Sequence, residues 1–201
     1  MTIFYKLGNK LYINITNCCP CDCIFCIRNL TNSVGEADNL WLEHEPTLDE
    51  IKEAFDTLNY DLPNINEIVF CGYGEPMERA EDVIEIAKYI AKRIFVPLPL
   101  RLNTNGLVKL INPDFNISDL HILDSVSISL NADDANEYQR LTNSRFGHNS
   151  FNSLLDFAKE AQPYTSVILT VVEGTLTPER IQKCHQLAKS LNLPLRVRSS
   201  I

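Results

Sequence analysis

The chain has 201 residues and a formal net charge of −8 at neutral pH. Its length suffices for a core that needs no disulfides, and its acidity disfavours nonspecific binding to nucleic acid. No apolar stretch reaches the roughly 20 residues that span a membrane, and residues 1–10 lack the apolar segment of a signal peptide. We therefore expect a cytoplasmic protein without a membrane partner.

Short apolar segments alternate with helical patterns along the chain. The predicted strands are residues 10–16, 67–71, 98–104, 125–130, 165–172 and 195–199. The predicted helices are a first one that begins after Thr47 and others at residues 79–94, 136–141, 150–161 and 178–191. Thr47 and Glu50 are spaced as a capping box, and Thr177 and Pro178 are typical of an N-cap and a first helical residue. Alternating strands and helices predict one α/β domain over residues 1–201, with a parallel sheet.

The polar residues of the strands bear on the choice between a flat, doubly wound sheet and a barrel. Arg101, Asn103 and Asn105 share one face of the third strand, and Ser127 and Ser129 share one face of the fourth. A strand covered by helices on both faces should be apolar on both. A barrel with a wet cavity at the carboxyl ends of its strands accounts for the polar face; a sheet with one solvated face is the alternative. We predict a partial (β/α)6 TIM-like barrel of parallel strands that is open on one side.

Five of the seven cysteines fall between residues 18 and 26, which we call the cysteine loop. Cys19, Cys23 and Cys26 have the spacing Cys-x3-Cys-x2-Cys. Thiolates suit zinc, Cu(I) and iron–sulfur clusters, and a four-iron cluster held by three cysteines leaves one iron free to bind a small molecule. The pairs Cys18-x2-Cys21 and Cys23-x2-Cys26 predict a structural zinc site instead. Only one residue separates these pairs, which is short for a zinc ribbon, so the spacing favours the open cluster.

The cysteine motif resembles the signature of the radical S-adenosylmethionine (SAM) superfamily, where it follows the first strand and carries an aromatic residue at the place of Phe25. Later segments match in the same order: Gly72-Tyr73-Gly74-Glu75-Pro76, Asn103-Thr104-Asn105-Gly106, Ser127-Ile128-Ser129-Leu130-Asn131 and Arg196-Val197-Arg198. The match extends over residues 11–198. A closer resemblance is to the TatD-associated radical SAM proteins, and it rests on residues 40–43 and 129–141, on Cys184 and on the terminal Arg196-x-Arg198.

The resemblance implies a [4Fe-4S] cluster on Cys19, Cys23 and Cys26 and SAM bound to its free iron. It implies reductive cleavage of SAM to a 5′-deoxyadenosyl radical, which abstracts hydrogen from a substrate that the sequence does not identify. The SAM-binding residues that it implies are Gly72, Gly74, Glu75, Asn105, Ser129, Asn131, Thr170 and Arg198. Either Arg140 or Arg198 is expected to pair with the SAM carboxylate, because a guanidinium fork fits a carboxylate.

Two further expectations concern the glycine turn, residues 72–76. Gly72 and Gly74 lack a Cβ atom, so they are expected to adopt positive φ and to let the backbone approach the ligand. A valine at Gly74 would then weaken SAM binding and leave the cluster intact. Glu75 is expected to orient the turn or to lie near the SAM amine.

The resemblance also implies partners. These are an electron donor such as flavodoxin or ferredoxin, and a TatD-type nuclease, since members of the TatD-associated group are encoded beside or fused to one. Closure of the open side of the barrel is assigned to residues 29–46, a large substrate or a partner protein. The alternative function is a noncatalytic zinc or iron–sulfur module that regulates the nuclease.

Overall fold

The computed structural model describes residues 1–58, 64–95 and 97–199. Its strands are β1 (Phe4–Leu7), β2 (Lys10–Ile13), β3 (Glu67–Phe70), β4 (Leu100–Thr104), β5 (Ser125–Ser129), β6 (Ser166–Val172) and β7 (Leu195–Arg198). Its α-helices are α1 (Leu48–Asp56), α2 (Ala80–Arg93), α3 (Val108–Ile111), α4 (Ala135–Thr142), α5 (Asn149–Ala161) and α6 (Pro178–Ser190). Short 3-10 helices span Ile27–Asn29, Pro76–Arg79 and Ile117–Ile122.

The strands form a single sheet in the order in which they occur along the chain. β2 to β7 are parallel, as predicted, and the helices between them make an open α/β architecture that corresponds to a partial TIM-like barrel. β1 was not predicted. It pairs antiparallel with β2 across a turn at Gly8, whose φ of 62° suits glycine. β1 and β7 are therefore the two edges of the described sheet.

One face of the sheet packs against the helices and forms the main core. Val126 and Ile128 on β5 are fully buried there, and Leu154 of α5 lies in the same core. Burial of such a side chain stabilises the fold by roughly 1.5–3 kcal/mol. The predicted capping box is present at α1, where Thr47 Oγ1 accepts from Glu50 N at 3.2 Å and Glu50 Oε2 accepts from Thr47 N at 2.7 Å.

The other face of the sheet is polar and lines a cavity. The register of the sheet aligns the polar residues of neighbouring strands: Asn103 pairs with Ser127, Ser129 with Thr170, and Thr170 with Arg196. All five residues line the cavity. Paired residues of neighbouring strands project to the same side of a sheet, so these residues share one face. Since that face lines the cavity, the prediction of a cavity along the polar face of the strands is confirmed.

The long connection at residues 29–46 folds over the β1–β2 side of the sheet. Its Val34, Ala37 and Leu40 pack with Tyr5 and Tyr73 in a second, smaller apolar core. Asn14 Nδ2 donates a hydrogen bond to Leu40 O at 2.7 Å. Part of the connection borders the cavity. No helix in the described part of the chain is both long and apolar enough to span a bilayer.

Candidate functional site

The cavity has a volume of about 650 Å³ and takes lining residues from β1, β2 and β4 to β7 and from the loops that follow the strands. It gathers the three cysteines of the cluster motif and the eight SAM-binding residues that the resemblance implies, but not Arg140, the other arginine considered for the SAM carboxylate. The gathered residues are Cys19, Cys23, Cys26, Gly72, Gly74, Glu75, Asn105, Ser129, Asn131, Thr170 and Arg198. Residues up to 179 positions apart in sequence (Cys19 to Arg198) thus border one space.

The C-terminus of α4 holds the cysteine loop. Asp22 N donates to Thr142 O at 2.8 Å, and Ile24 N donates to Leu141 O at 3.0 Å. The last carbonyls of a helix have no partner inside it, so the cysteine loop satisfies two of them. Asn143 then leaves the helix in the left-handed conformation, with φ 43°. The end of α4 therefore fixes the loop by its backbone, whichever side chains the loop carries.

The cysteines of this loop occupy different positions. Cys19, Cys23 and Cys26 are half-buried and line the cavity, and Cys21 lines it as well but is buried. Cys18 is exposed and lies outside the cavity, with its Sγ 3.8 Å from Glu45 Oε1. The two pairs of the zinc interpretation therefore do not face a common space, whereas the three cysteines of the cluster motif do.

The pKa values of Cys19, Cys21 and Cys26 are all raised. Interaction with Cys21 and then burial raise the pKa of Cys19 far above its ordinary value, and burial raises the pKa of Cys26. Cys19 lowers the pKa of Cys21, but Cys23 and burial outweigh it and bring that pKa to about 12. A thiol binds iron as the thiolate, so metal binding must release these protons. In the described chain no three His, Cys, Asp or Glu side chains converge as ligands of one metal ion; thiolates that each bind a different iron need not converge so closely.

The glycine turn differs from expectation. Neither Gly72 nor Gly74 has positive φ. A Cβ on Gly74 would lie 2.3 Å from Thr16 O and 2.6 Å from Cys18 O, so the missing side chain makes room for the backbone that leads into the cysteine loop. A Cβ on Gly72 would meet Asn14 Oδ1 at 1.9 Å. The expectation of positive φ is therefore wrong, although the turn does border the cavity, and the contacts of Gly74 favour an effect of a side chain there on the cysteine loop as well as on SAM.

Glu75 is a buried anchor of this turn. Its Oε1 accepts from Thr104 Oγ1 at 2.6 Å and from Met77 N at 3.1 Å, and its Oε2 accepts from Asn105 N at 2.7 Å. Burial raises the pKa of Glu75 to about 7, although these hydrogen bonds lower it. Of the two expected roles, the contacts of the carboxylate match orientation of the turn.

Polar groups without partners face the cavity on the side of β5 and β6. Asn131 adopts φ 56°, and its buried Oδ1 has no hydrogen-bond partner among the described residues; the same is true of Ser127 Oγ. Thr170 Oγ1 bonds to Ile128 O at 3.3 Å. Buried polar atoms are nearly always paired in folded proteins. Two unpaired ones on one cavity wall fit a bound polar ligand such as the ribose of SAM.

The two arginines considered for the SAM carboxylate are separated by the structure. Arg140 bonds to Glu137 at 2.7 Å, has a side chain that is 58% exposed, and lies outside the cavity. Arg198 is half-buried and lines the cavity, and burial lowers the pKa of its guanidinium. Only Arg198 is thus placed to meet a ligand there.

The sequence analysis did not identify a cluster of charged residues beside the cavity. We call this cluster, which consists of Lys10, Glu67 and Arg101, the ionic floor. Glu67 accepts from Lys10 Nζ at 2.6 Å and from Arg101 Nε at 2.8 Å. Tyr5 and Tyr12 stack beside it, with ring centroids 5.1 Å apart. The alternation of polar residues in β4 was the available signal for Arg101. No comparable signal marked Tyr5, because its strand was not predicted.

The radical SAM superfamily model matches residues 13–188, so the chain belongs to the radical SAM superfamily. Solved structures share its fold at low identity. SuiB from Streptococcus suis, bound to SAM, has 15% identity and a TM-score of 0.69, over 97% of this chain and 41% of SuiB. A radical SAM methyltransferase from Sphaerobacter thermophilus has 15% identity and a TM-score of 0.58, over 98% of this chain and 68% of that one.

A third structure, anSMEcpe with bound AdoMet, has 16% identity and a TM-score of 0.59, over 94% of this chain and 50% of that one. The chain thus spans about two fifths of SuiB and half of anSMEcpe. No curated protein matches its sequence. Membership in the superfamily implies SAM and an iron–sulfur cluster as cofactors. The residues present fit both, because one cavity is bordered by the three cysteines of the cluster motif, by Asn131 and Ser127 with their unpaired oxygens, and by Arg198.

Proposed function

We propose that this protein is a radical SAM enzyme whose Cys19, Cys23 and Cys26 hold a [4Fe-4S] cluster. The observation that carries the proposal is the single cavity on which these three thiols meet the predicted SAM-binding residues. When bound and reduced, the cofactors supply electron transfer into SAM, which yields methionine and a 5′-deoxyadenosyl radical that abstracts hydrogen from a substrate.

The chain's own residues bind and orient SAM in this proposal. Asn131 Oδ1 accepts from a ribose hydroxyl, which would satisfy an atom that is now unpaired. Ser129 and Thr170 lie on the neighbouring positions of β5 and β6 and bind the same part of the ligand. Arg198 binds the carboxylate, and the carbonyls of the glycine turn receive the amine. Glu75 and Asn105 keep the turn beside β4 through their hydrogen bond.

A second candidate function rests on Cys21. Its buried thiol borders the same cavity, so the cysteine loop alone brings four thiols there. Four thiolates would close a metal site and leave no position for SAM. The chain would then be a noncatalytic zinc or iron–sulfur module that regulates a partner such as a TatD-type nuclease.

Anaerobic reconstitution with iron and sulfide, followed by SAM and dithionite, separates the two candidates. The enzyme should bind about four irons per chain, as a [4Fe-4S] cluster requires, and release 5′-deoxyadenosine only when dithionite is present. The same chain loaded with zinc is the control and should release none. Four bound irons without 5′-deoxyadenosine, or a preference for zinc over iron, would support the module instead.

The proposal includes partners and a compartment. The cluster needs an electron donor, for which flavodoxin or ferredoxin is suitable, and a TatD-type nuclease is the proposed functional partner. All seven cysteines are free in the structure, which fits a reducing compartment such as the cytoplasm. Co-purification of the tagged chain under anaerobic conditions tests the nuclease; its absence from the eluate at matched expression would count against it.

A further inference from the structure

The side chains of two arginines on β7 have no partner among the residues that the structure describes. Arg196 and Arg198 are two residues apart and so project to one face of the strand. Arg196 pairs in register with Thr170, which lines the cavity, and both arginines line it too. Every other arginine in the described part of the chain donates to a carboxylate or a carbonyl: Arg28, Arg79, Arg93, Arg101, Arg140, Arg145 and Arg180. The guanidinium groups of Arg196 and Arg198 make no hydrogen bond and no ion pair with the described residues, although the backbone of β7 pairs with β6.

The acidic residues around the cavity do not neutralise this pair. Glu67 is already bound by the two basic residues of the floor. Glu75 accepts three hydrogen bonds from its neighbours. Glu173 is exposed and donates its backbone N–H to Arg198 O at 2.8 Å, but it forms no ion pair with the arginine. Positive charge therefore remains at this end of the cavity, although the chain as a whole carries −8.

SAM itself accounts for one arginine only. It carries a single carboxylate, which one guanidinium fork can satisfy with two hydrogen bonds, and its sulfonium is a cation that a second arginine would repel. Arg198 is half-buried and takes that role in the proposed function. Arg196 is exposed to the cavity side of an edge strand and has no assigned anion.

We propose that Arg196 recognises an anionic group, a carboxylate or a phosphate, on the substrate. The inference rests on the proposed function, because it takes SAM as the ligand of Arg198. β7 is an edge strand of the described sheet and Arg196 lines the cavity, so an anionic group bound to Arg196 leaves the rest of the substrate in the space that the cysteine loop also borders. The substrate class is therefore an organic acid or a phosphorylated molecule, and Arg196 is the residue that selects it.

Isothermal titration of the reconstituted, SAM-saturated protein tests this with two probes, inorganic phosphate and succinate, at low ionic strength. One of the two should bind the wild type, and which one binds identifies the anion. Arg196→Gln should weaken that binding by about tenfold or more, because a charge-assisted hydrogen bond contributes about 1.5–3 kcal/mol. Arg196→Lys should retain part of it, since a lysine keeps the charge but not the fork. Arg140→Gln is the matched control: it removes the same charge outside the cavity and should bind as the wild type does.

The outcomes separate this inference from the proposed function. A wild type that cleaves SAM but binds neither anion, or an Arg196→Gln variant that binds as tightly as the wild type, overturns the inference and leaves the function standing. A wild type that neither assembles the cluster nor cleaves SAM overturns both. Melting curves of the two Arg196 variants check folding. If Arg196→Gln is unstable, the anion affinity of Arg196→Lys is the test, and an affinity equal to that of the wild type overturns the inference.

Discussion

The hydroxyl of Thr104 donates to the carboxylate of Glu75 across 2.6 Å and joins the glycine turn to the end of β4. Thr104 also accepts from Gly106 N at 3.0 Å, so one side chain links two loops at the carboxyl ends of neighbouring strands. These loops carry the backbone that borders the cavity. The position of the glycine turn therefore depends on a carboxylate buried under it.

We expect Glu75 to make stability depend on pH. Its pKa is about 7 in the fold against an ordinary value of 4.5, so between these values the folded chain binds more protons than the unfolded chain. The stability from this group is complete below about pH 4.5 and is lost as pH rises through about 7, at about 1.4 kcal/mol for each unit of pKa difference. Glu75→Gln cannot titrate.

Urea unfolding of the metal-free chain at pH 5 and pH 8 measures this effect. The wild type should lose more free energy of unfolding over that interval than Glu75→Gln, by a few kcal/mol at most. All other titrating groups are common to both proteins and cancel in the comparison. An equal loss in the two proteins would mean that Glu75 is ionised in the fold at pH 5.

Gly74→Ala should remove most of the iron that the protein can bind. The new Cβ would lie within 2.6 Å of the carbonyls of Thr16 and Cys18, and backbone atoms cannot rotate aside. The turn must then move away from the segment after β2 that leads into the cysteine loop. Gly147→Ala is the control, because a Cβ there meets nothing within 4 Å and costs only the roughly 1–2 kcal/mol of a left-handed alanine. Iron analysis after reconstitution compares them; equal iron in both would contradict the packing role of Gly74.

Asn143 should tolerate glycine and reject valine. It lies at φ 43° directly after α4, where a β-branched residue costs about 1–2 kcal/mol or more, whereas glycine costs little. For a domain of this size we expect Asn143→Val to lower the melting temperature by roughly 2–8 °C. Iron content should fall too, because the last carbonyls of α4 hold the cysteine loop. A valine variant that melts and binds iron as the glycine variant does would refute this.

Much of the fold was predictable because it depends on local patterns. The alternation at Arg101 and Asn103 gave the face of β4 that lines the cavity, and the spacing of Thr47 and Glu50 gave the start of α1. These signals need only the neighbouring residues. β1 escaped because a four-residue strand beside a Gly8 turn carries too short a pattern to distinguish it from a loop.

The site was predictable in its membership but not in its contacts. The hydrogen bond between Glu75 and Thr104 joins residues 29 positions apart, and the close approach of Gly74 to Thr16 joins residues from different strand ends. No local periodicity encodes either relation. Spacing alone also left Cys18 and Cys21 equivalent, because only the docking of the cysteine loop on α4 decides which thiol faces inward.

The assignment of the cysteines can be tested with two single substitutions. The cluster motif requires Cys19 and leaves Cys18 dispensable, whereas the paired zinc motif requires Cys18 and leaves Cys19 dispensable. Cys18 is exposed beside Glu45 and borders no part of the cavity, while Cys19 lines it. We therefore expect Cys19→Ala to lose most iron and all reductive cleavage of SAM, and Cys18→Ala to retain both.

Cys21 provides the control for a closed, four-thiolate site. It lines the cavity with Cys19, Cys23 and Cys26, and its pKa of about 12 keeps it a thiol unless a metal binds it. If three thiolates hold the cluster, Cys21→Ser should keep the iron and the 5′-deoxyadenosine yield, because the fourth iron must stay open to bind SAM. Reconstitution, iron analysis and the dithionite assay are run on all three variants together. Loss of metal in Cys18→Ala or Cys21→Ser, with Cys19→Ala unaffected, would replace the enzyme with a structural metal site.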